Sequence, residues 1–191
     1  MPLLRMREAR FVTTSIAAGP VTLDLEPGER VALHCASQRE ATTVALLACG
    51  IVKASDGLVL IDDFDPRVQS VACKRAAVFV PHEPFTLDSD EFARYIEYRA
   101  ALWNLEPLRA KAQAERLLSN LTGMHETLAY PLIAALIAMP KLVVLDRPLP
   151  VHAKLLLAAM GERAVLSTHT DAAAAHAFAP NALRVLRAAP A

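Results

Sequence analysis

The sequence predicts an α/β protein in which a mixed sheet is flanked by helices and interrupted by a helical insert. Short runs rich in β-branched residues alternate with turn residues in the first third of the chain. Helical periodicity, with apolar residues recurring at three and four, follows from position 88 to about position 121. Two apolar runs near the end, KLVVLD and AVLSTH, lack polar alternation, which is typical of parallel strands covered on both faces.

Each element follows from its local pattern. In the first third, four short apolar segments bounded by Gly, Pro or Asp are predicted as strands, at 21–27, 30–35, 57–63 and 76–82. The helical region from 88 to 121 is predicted as two helices joined by the polar sequence NLEP. The remaining elements are a helix over TTVALLACG at 42–50, an apolar helix at about 131–139, the strand KLVVLD, a short helix at about 153–160, the strand AVLSTH and a last strand ALRVL.

Length and composition indicate one domain, 1–191, with a core formed by 1–87 and 126–191 and a helical subdomain at 88–125. The chain has 191 residues, 54% of them hydrophobic, which suits one folded domain with a sizeable core. Twenty basic and twenty acidic residues give a net charge of zero, so we expect no nucleic-acid partner. The longest apolar stretch, at 128–145, is broken by Pro131, Pro140 and Lys141, which argues against a membrane span.

The three cysteines match no zinc or redox spacing, and the first ten residues lack the apolar centre of a signal peptide, so a reducing cytoplasm is expected. Five segments then carry a resemblance by their order and spacing: DLEPGERVAL at 24–33, SDGLVLIDDFDPR at 55–67, AAVFVPHEPF at 76–85, PKLVVLDRP at 140–148 and AVLSTHTD at 164–171. Together they resemble the nucleotide-binding domain of ATP-binding cassette (ABC) ATPases. The resemblance implies a P-loop NTPase-like ABC ATPase fold.

In that family, the segment after the first core strand is a phosphate-binding loop. Such a loop needs glycines so that backbone N–H groups can surround the phosphates, a lysine for the β and γ oxygens, and a hydroxyl for Mg²⁺. Here Cys35 and Glu40 replace the framing glycines and Ala41 replaces the lysine. Thr42 keeps the hydroxyl, and Thr43 follows it as a second candidate for nucleotide contact. The alternative to a phosphate-binding loop is that residues 35–43 form only a capped turn from strand to helix.

The other catalytic positions are retained unevenly. Asp146 matches the aspartate that coordinates Mg²⁺ in the family, so it pairs with the hydroxyl of Thr42 as a candidate metal ligand. Arg147 stands where the general-base glutamate belongs, and arginine cannot take a proton from water. His169 matches the switch histidine that contacts the γ-phosphate in the family, and Phe11 is either an adenine-stacking ring or a core residue. No residue is assigned as catalytic, and His169 and Asp146 are the retained family positions.

The resemblance also implies partner contacts. His82 replaces the family's glutamine at the membrane-coupling loop, so a membrane subunit is expected to contact the groove near His82, Phe85 and Tyr95. In the sequence NLTGMHETL, Thr122 and Gly123 imitate the serine and first glycine of the signature motif, which holds nucleotide on the opposite subunit. Thr122 is also a candidate N-cap for the helix that follows.

Three functional hypotheses remain. The first is a catalytically degenerate nucleotide-binding subunit, cytoplasmic and attached to a membrane through its partners, which are an integral membrane transporter subunit and either a homologous active ATPase or a second copy of this chain. It would need no cofactor, although weak binding of ATP and Mg²⁺ is an alternative. The second is an atypical active ATPase in which Arg39, Lys53 or Arg147 replaces the lysine charge. The third is a soluble scaffold on the same fold.

Overall fold

The computed structural model describes residues 1–83 and 87–185, and it confirms the α/β class. Within these residues the strands form two sheets, one antiparallel with the order β2-β1-β4 and one parallel with the order β5-β6-β7-β3-β8. The predicted mixture of strand directions is therefore divided between two separate sheets. The strands are β1 Leu4–Val12, β2 Ala17–Leu25, β3 Arg30–His34, β4 Asp56–Ile61, β5 Ala77–Val80, β6 Leu142–Asp146, β7 Ala164–His169 and β8 Leu183–Val185.

The antiparallel sheet is centred on β1, a strand that the sequence prediction omitted. Leu4, Met6 and Ala9 are buried on one face, while arginines between them point to the other face. One of these, Arg7, forms an ion pair with Asp24 of the neighbouring strand β2. The many charges of this segment hid its alternation, although alternation with one polar face is what a half-exposed antiparallel strand requires.

The parallel sheet is covered on both faces, as the apolar runs KLVVLD and AVLSTH predicted. Leu142 and Val144 of β6 face a core shared with the antiparallel sheet and the first helix. Val143 and Leu145, which alternate with them, face a second core formed by the helices on the opposite side. Because both faces are buried, the strand can place its polar end residue, Asp146, only at the edge of the sheet.

The helices of the described chain partly follow the predictions. The pair at 88–121 and the helix at 153–160 are confirmed, whereas the helix predicted at 131–139 begins earlier because Pro131 lies inside it rather than at its first turn. Two short helices before β5 and after β7 were not predicted. The α-helices are α1 Gln38–Ala48, α2 Ser70–Ala76, α3 Ser89–Leu102, α4 Pro107–Asn120, α5 Glu126–Leu136, α6 Ala153–Met160 and α7 Ala172–Phe178.

The helical insert begins with a strong start signal. Asp88 is the N-cap of α3 and exchanges hydrogen bonds with Glu91 in a capping box. Glu106 caps α4 through two backbone N–H groups, and Pro107 stands in its first turn. Both helices pack on α5, which carries their apolar faces onto the second core. Among the described residues, no helix is long and apolar enough to cross a membrane.

Candidate functional site

The candidate site lies at the carboxyl edge of the parallel sheet. β3, β6 and β7 run in register, so that His34 is paired with His169, and Asp146 is paired with Thr168. The chain leaves β3 at this edge, and its Cys35 N–H donates to the carbonyl of His169 (2.7 Å) before α1 begins. Three loops therefore meet where parallel α/β sheets commonly hold ligands.

The loop before α1 is capped by its own side chains. Ser37 is the N-cap, and its hydroxyl accepts a hydrogen bond from the N–H of Glu40 (3.1 Å). In return, the Glu40 carboxylate accepts one from the N–H of Ala36 (2.8 Å), and only 7% of Glu40 is exposed. The arrangement is close to a capping box, in which a cap residue and a glutamate three positions later bind each other's backbone. A carboxylate is thus already bound at the positive end of α1.

Two neighbours of Glu40 are buried with it. Ala41 has no exposed surface, so a long side chain at this position has no open path in the present loop. Burial, reinforced by the nearby Glu40 carboxylate, raises the pKa of the Cys35 thiol to about 12. The thiol therefore stays protonated at neutral pH and cannot serve as a thiolate nucleophile or metal ligand.

Thr42, Asp146 and Arg147 form one polar cluster. The Thr42 hydroxyl donates to Oδ2 of Asp146 (2.7 Å), and Nε of Arg147 donates to Oδ1 of the same carboxylate (3.1 Å). Nη2 of Arg147 also lies 3.3 Å from the Thr42 hydroxyl oxygen, at hydrogen-bonding distance. The two groups that the sequence suggested as Mg²⁺ ligands are therefore brought together, with a guanidinium bound to both.

The backbone holds Arg147 over this cluster. Arg147 has a φ of 46°, a left-handed conformation that is uncommon for residues other than glycine. Its N–H donates to the carbonyl of Thr168 (2.9 Å), and its own carbonyl accepts a hydrogen bond from Nδ1 of His82 (2.8 Å). His82, which stands where the family has its magnesium-sensing and membrane-coupling glutamine, thus contacts the residue beside Asp146.

His169 is buried away from solvent, with 2% of its surface exposed. Nε2 lies 2.9 Å from the Ser167 hydroxyl, and the ring packs against Phe178 of α7 at a centroid distance of 5.2 Å. Burial lowers the pKa of His169 from 6.5 to about 4, so the ring is neutral at physiological pH. In this conformation the suggested switch histidine fills a core position.

The remaining nucleotide candidates lie outside this cluster. The Thr43 hydroxyl donates to the carbonyl of Arg39 within α1 (2.7 Å), and Phe11 packs against the core beneath the antiparallel sheet. Arg39 is exposed and donates to the carbonyl of Ser15 (3.1 Å). Lys53 follows the far end of α1, a helix of 11 residues and hence about 16 Å long, so it is too distant to replace a lysine at the loop.

The suggested partner residues divide among several surfaces. Tyr95 lines a groove of about 540 Å³ between α2 and α3, whereas His82 lines a separate small cavity of about 50 Å³ beside Asp146. Phe85 lies outside the described residues. The predicted N-cap role of Thr122 is wrong, because α5 begins only at Glu126 and the Thr122 hydroxyl instead donates to the carbonyl of Ser119 at the end of α4 (2.7 Å).

Gly123 follows Thr122 with a φ of 95°, in the left-handed region that favours glycine. A Cβ added there would meet nothing within 4 Å, so this turn leaves its surroundings open. Its contact with a partner stays a prediction, as does that of Thr122.

Sequence reasoning missed three residues of the site. Ser37 caps the loop, Thr168 supports both Asp146 and Arg147, and Ser167 binds His169. The first could have been found, because Ser37 and Glu40 have the Ser-x-x-Glu spacing of a capping box. Thr168 carries no local signal, since only strand register brings it beside Asp146 and Arg147, whereas Ser167 lies two positions before His169 on the same strand.

The arrangement has few chemical options. No group of three or more His, Cys, Asp or Glu that could hold a metal ion occurs in the described part of the chain. The side chain beside Asp146 is an arginine, which cannot act as a general base. The described site therefore contains an ion pair between Arg147 and Asp146, and not a general acid and a general base placed side by side.

Comparison with solved structures finds this fold in ABC transporter proteins. An ATP-binding subunit of an ABC transporter has a TM-score of 0.77 at 17% identity, over 96% of this chain and 85% of that one. CbiO1 from Clostridium perfringens, part of the ABC transporter complex CbiONQ, has a TM-score of 0.75 at 14% identity, over 97% and 85% of the two chains. A bacterial ABC transporter cassette, solved as a dimer, gives 0.68 at 14%, over 96% and 94%.

No protein-family profile matches the sequence, and no curated protein matches it significantly. The structural likeness alone confirms the ABC ATPase fold that the five sequence segments implied. Because the sequence identity is 17% or less, the structural similarity establishes the fold alone, and the function has to be argued from the site.

Proposed function

We propose that this chain is a non-hydrolysing subunit of ABC type, which acts as a structural or regulatory partner in a membrane transport complex. One observation carries the proposal: Arg147 binds both Thr42 and Asp146, the two residues at the position of the family's Mg²⁺ ligands. A guanidinium thus supplies the positive charge that these two oxygens would otherwise receive from a metal ion.

The phosphate side of the site supports the same proposal. The Glu40 carboxylate accepts the hydrogen bond of the Ala36 N–H, so this backbone donor of the loop is already bound to an anion. A nucleotide phosphate would have to displace that carboxylate or lie beside it, and two like charges about 4 Å apart repel by roughly 1 kcal/mol even at the dielectric of water. With Ala41 in place of the lysine, the loop has no cation at that position, and the guanidinium of Arg39 is exposed and donates to the carbonyl of Ser15 instead. Mg-ATP therefore fits these residues poorly.

Hydrolysis has a second obstacle. Activation of the attacking water needs a proton acceptor, and Arg147 has only donors. His169 is neutral, but its ring is buried between Ser167 and Phe178, where substrate cannot reach it without a change in structure. The two shortcomings are independent, because one concerns phosphate binding and the other proton transfer.

The proposed partners follow from the fold. Similar chains include a cassette solved as a dimer and a subunit described as part of an ABC transporter complex. We propose that this chain pairs with a homologous ATPase or with itself, and reaches the membrane surface from the cytoplasm through a transporter subunit. A neutral net charge gives no reason to expect nucleic acid. The boundaries of the helical subdomain, 88–125, remain part of this proposal.

The alternative of an atypical active ATPase retains one argument, because Arg147 does bring a cation to the site. That cation is bound to Asp146 and would have to leave this carboxylate to reach a phosphate. Arg39 and Lys53 are worse candidates, since one is exposed on α1 and the other follows its far end. A scaffold with no transporter partner is the third reading.

Calorimetry with Mg-ATP on the purified chain tests the proposal, with thermal unfolding in parallel. We expect no binding heat and no rise in Tm up to millimolar nucleotide, because ligand binding to the folded state alone would raise Tm. The double variant Glu40→Gly with Ala41→Lys is the companion measurement, since it restores one framing glycine and the lysine and removes the Glu40 carboxylate from the loop. Micromolar binding by the unchanged chain, followed by turnover of ATP, would overturn the proposal.

A further inference from the structure

A closed series of hydrogen bonds joins the loops at the carboxyl edge of the parallel sheet. This edge ring runs through three segments, 35–42, 146–147 and 168–169. The N–H of Cys35, after β3, donates to the carbonyl of His169 at the end of β7 (2.7 Å). The N–H of Arg147, after β6, donates to the carbonyl of Thr168, the preceding residue of β7 (2.9 Å). The loops after β3 and β6 are therefore both bound to the end of the strand that lies between them.

The side chain of Arg147 connects the end of β6 to α1. Its Nε donates to Oδ1 of Asp146 (3.1 Å), and the Thr42 hydroxyl donates to Oδ2 of the same carboxylate (2.7 Å). Nη2 of Arg147 lies 3.3 Å from the Thr42 hydroxyl oxygen, so the guanidinium and the carboxylate both contact α1 at one residue. Hydrogen bonds between ionised groups are stronger than those between neutral groups. An ion pair and a hydroxyl therefore form the link between β6 and α1.

Glu40 closes the edge ring on the same helix. Its carboxylate accepts the N–H of Ala36 (2.8 Å), and Ala36 directly follows Cys35, where the ring began. Burial raises the pKa of the Cys35 thiol to about 12, and the carboxylates of Glu40 and Asp146 add to this effect, so both lie near the thiol. An unbroken path of covalent and hydrogen bonds thus leads from Glu40 through the ends of β3, β7 and β6 and back to α1.

The edge ring is shielded from water. Four of its members have at most 7% of their surface exposed, namely Glu40, Asp146, Thr168 and His169. Hydrogen bonds in such surroundings strengthen one another, and a buried polar group that loses its partner is costly. Opening one link would leave a buried donor or acceptor unpaired and would remove support from the neighbouring links. The links are therefore expected to open together rather than one at a time.

We propose that the edge ring fixes the carboxyl edge in one arrangement, so that this edge presents the same surface to a partner with or without nucleotide. The inference rests on the proposed function, in which Glu40 lies at the phosphate side of the site and Arg147 at the metal side, and it adds how that site is regulated. A ligand can shift a conformational equilibrium only by binding two states with different affinity. Because both internal charges hold one state, any response of the complex to nucleotide comes from the partner subunit.

Amide hydrogen exchange measured by NMR tests whether the links open together. The probes are the N–H groups of Cys35, Ala36 and Arg147, one for each backbone donor of the edge ring. Glu40→Ala removes the acceptor of Ala36, so the exchange of that amide should become about tenfold faster. Because the ring is closed, Cys35 and Arg147 should also exchange about threefold faster, although neither donates to Glu40. Acceleration at Ala36 alone would overturn the inference, since Glu40 would then be a local cap.

Glu91→Ala is the matched control for Glu40→Ala. Glu91 accepts the N–H of Asp88 (3.0 Å) in the capping box of α3, so its loss removes the same kind of hydrogen bond outside the edge ring. The three probe amides should keep their exchange rates, because amides of an edge loop exchange by local opening. Equal acceleration in Glu91→Ala would show that the probes report the stability of the whole chain, and it would overturn the inference.

Two milder variants keep the test decisive if Glu40→Ala does not fold. Glu40→Gln keeps an acceptor oxygen and loses the charge, so it should accelerate the three probe amides together by a smaller factor. Arg147→Lys keeps the charge and loses the planar fork of donors, so it should accelerate exchange at Ala36 from the other side of the ring. No change at Ala36 in Arg147→Lys, with a change confined to Ala36 in Glu40→Gln, would show two independent links and would overturn the inference.

Nucleotide added to the same samples separates the two proposals. Millimolar Mg-ATP should leave the exchange of the three probe amides in the unchanged chain as it is. Slower exchange of these amides with Mg-ATP would overturn the inference, because the edge would then respond to nucleotide. Release of phosphate from ATP would overturn the proposed function, whereas the comparison of variants uses no nucleotide and would stand. Independent opening of the links without phosphate release would remove this inference alone.

Discussion

The guanidinium of Arg147 donates from Nε to the carboxylate of Asp146 over 3.1 Å, at the carboxyl edge of the parallel sheet. Asp146 is 3% exposed and Arg147 18% exposed as side chains, so the pair is largely shielded from solvent. A buried carboxylate is costly unless it is paired and hydrogen-bonded. Thr42 and Thr168 supply hydroxyls to the same carboxylate, and Arg147 supplies the charge.

Removal of this cation should destabilise the chain. We expect Arg147→Ala to lower the free energy of unfolding by about 1–3 kcal/mol, because it leaves a buried carboxylate with hydroxyl partners only. Urea denaturation followed by circular dichroism measures the loss. Arg67→Ala is the matched control, since Arg67 pairs with Asp65 at an exposed site and should cost less than about 1 kcal/mol. Equal losses for the two variants would contradict a special role for Arg147.

The cap of α1 gives a second prediction. Ser37→Ala and Glu40→Ala should each cost about 1 kcal/mol of unfolding free energy, since each removes a hydrogen bond at the start of the helix. Because the two residues belong to one unit, the double variant should lose less than the sum. The free energies come from chemical denaturation of the four proteins in this cycle.

Asp88→Ala provides the control for that cycle. Asp88 caps α3 in the same manner, but far along the chain from α1 and with a different partner, Glu91. Its cost should add to that of Ser37→Ala within about 0.5 kcal/mol, because distant sites are independent. A coupling as large as that between Ser37 and Glu40 would mean that the cycle reports a global effect rather than the cap.

Most of the fold could be predicted because its signals are local. The runs KLVVLD and AVLSTH are apolar without alternation, and the structure buries both faces of these strands. The start of α3 is indicated by its N-cap residue, Asp88. β1 was missed because its outward face carries arginines, and the start of α5 was misplaced because Pro131 occurs inside the helix.

The site was only half predictable for a physical reason. The positions of Thr42 and Asp146 follow from the resemblance of whole segments, and the structure does bring them together at 2.7 Å. What the substituted residues do depends on tertiary contacts. Arg147 turns back onto Asp146 because Thr168 and His82 bind its backbone, and neither contact has a signal in the sequence. Ser37 is the exception, since the Ser-x-x-Glu spacing of Ser37 and Glu40 is a capping signal that can be recognised in the sequence.

The antiparallel sheet depends on Gly57, where β4 approaches β1 closely. Gly57 has a φ of 78°, and an added Cβ would lie 2.4 Å from the carbonyl oxygen of Glu8. Gly57→Ala should therefore cost more than about 2 kcal/mol, since backbone strain and a backbone collision add together. The change in Tm and in the urea midpoint measures it.

Gly161→Ala is the matched control for Gly57→Ala. Gly161 also has positive φ, at 59°, but its nearest neighbour to an added Cβ is the guanidinium of Arg163 at 4.0 Å. The cost should be about 1–3 kcal/mol, which is the conformational term alone, and should stay below that of Gly57→Ala, which adds the collision. Equal losses of stability in the two variants would contradict the collision expected at Gly57, where β4 approaches β1.

His169 predicts a pH dependence of stability. Burial lowers its pKa in the folded state from 6.5 to about 4, so between these values the unfolded chain binds a proton that the folded chain does not. Stability should therefore fall as pH falls from about 6.5, and the loss should be complete near pH 4. A shift of this size corresponds to about 3 kcal/mol, at 1.36 kcal/mol per unit.

Carboxylates also titrate near pH 4, so the contribution of His169 has to be taken as a difference between variants. His169→Gln keeps a polar side chain beside Ser167 but carries no titrating ring, and its unfolding free energy should lose less between pH 7 and pH 4.5 than that of the unchanged chain. His176→Gln, at an exposed position on α7, should reproduce the pH profile of the unchanged chain. If His169→Gln also reproduced it, the ring would be titrating in contact with water. The histidine would then be accessible to a ligand at the carboxyl edge of the sheet, which would favour the active ATPase over the degenerate subunit.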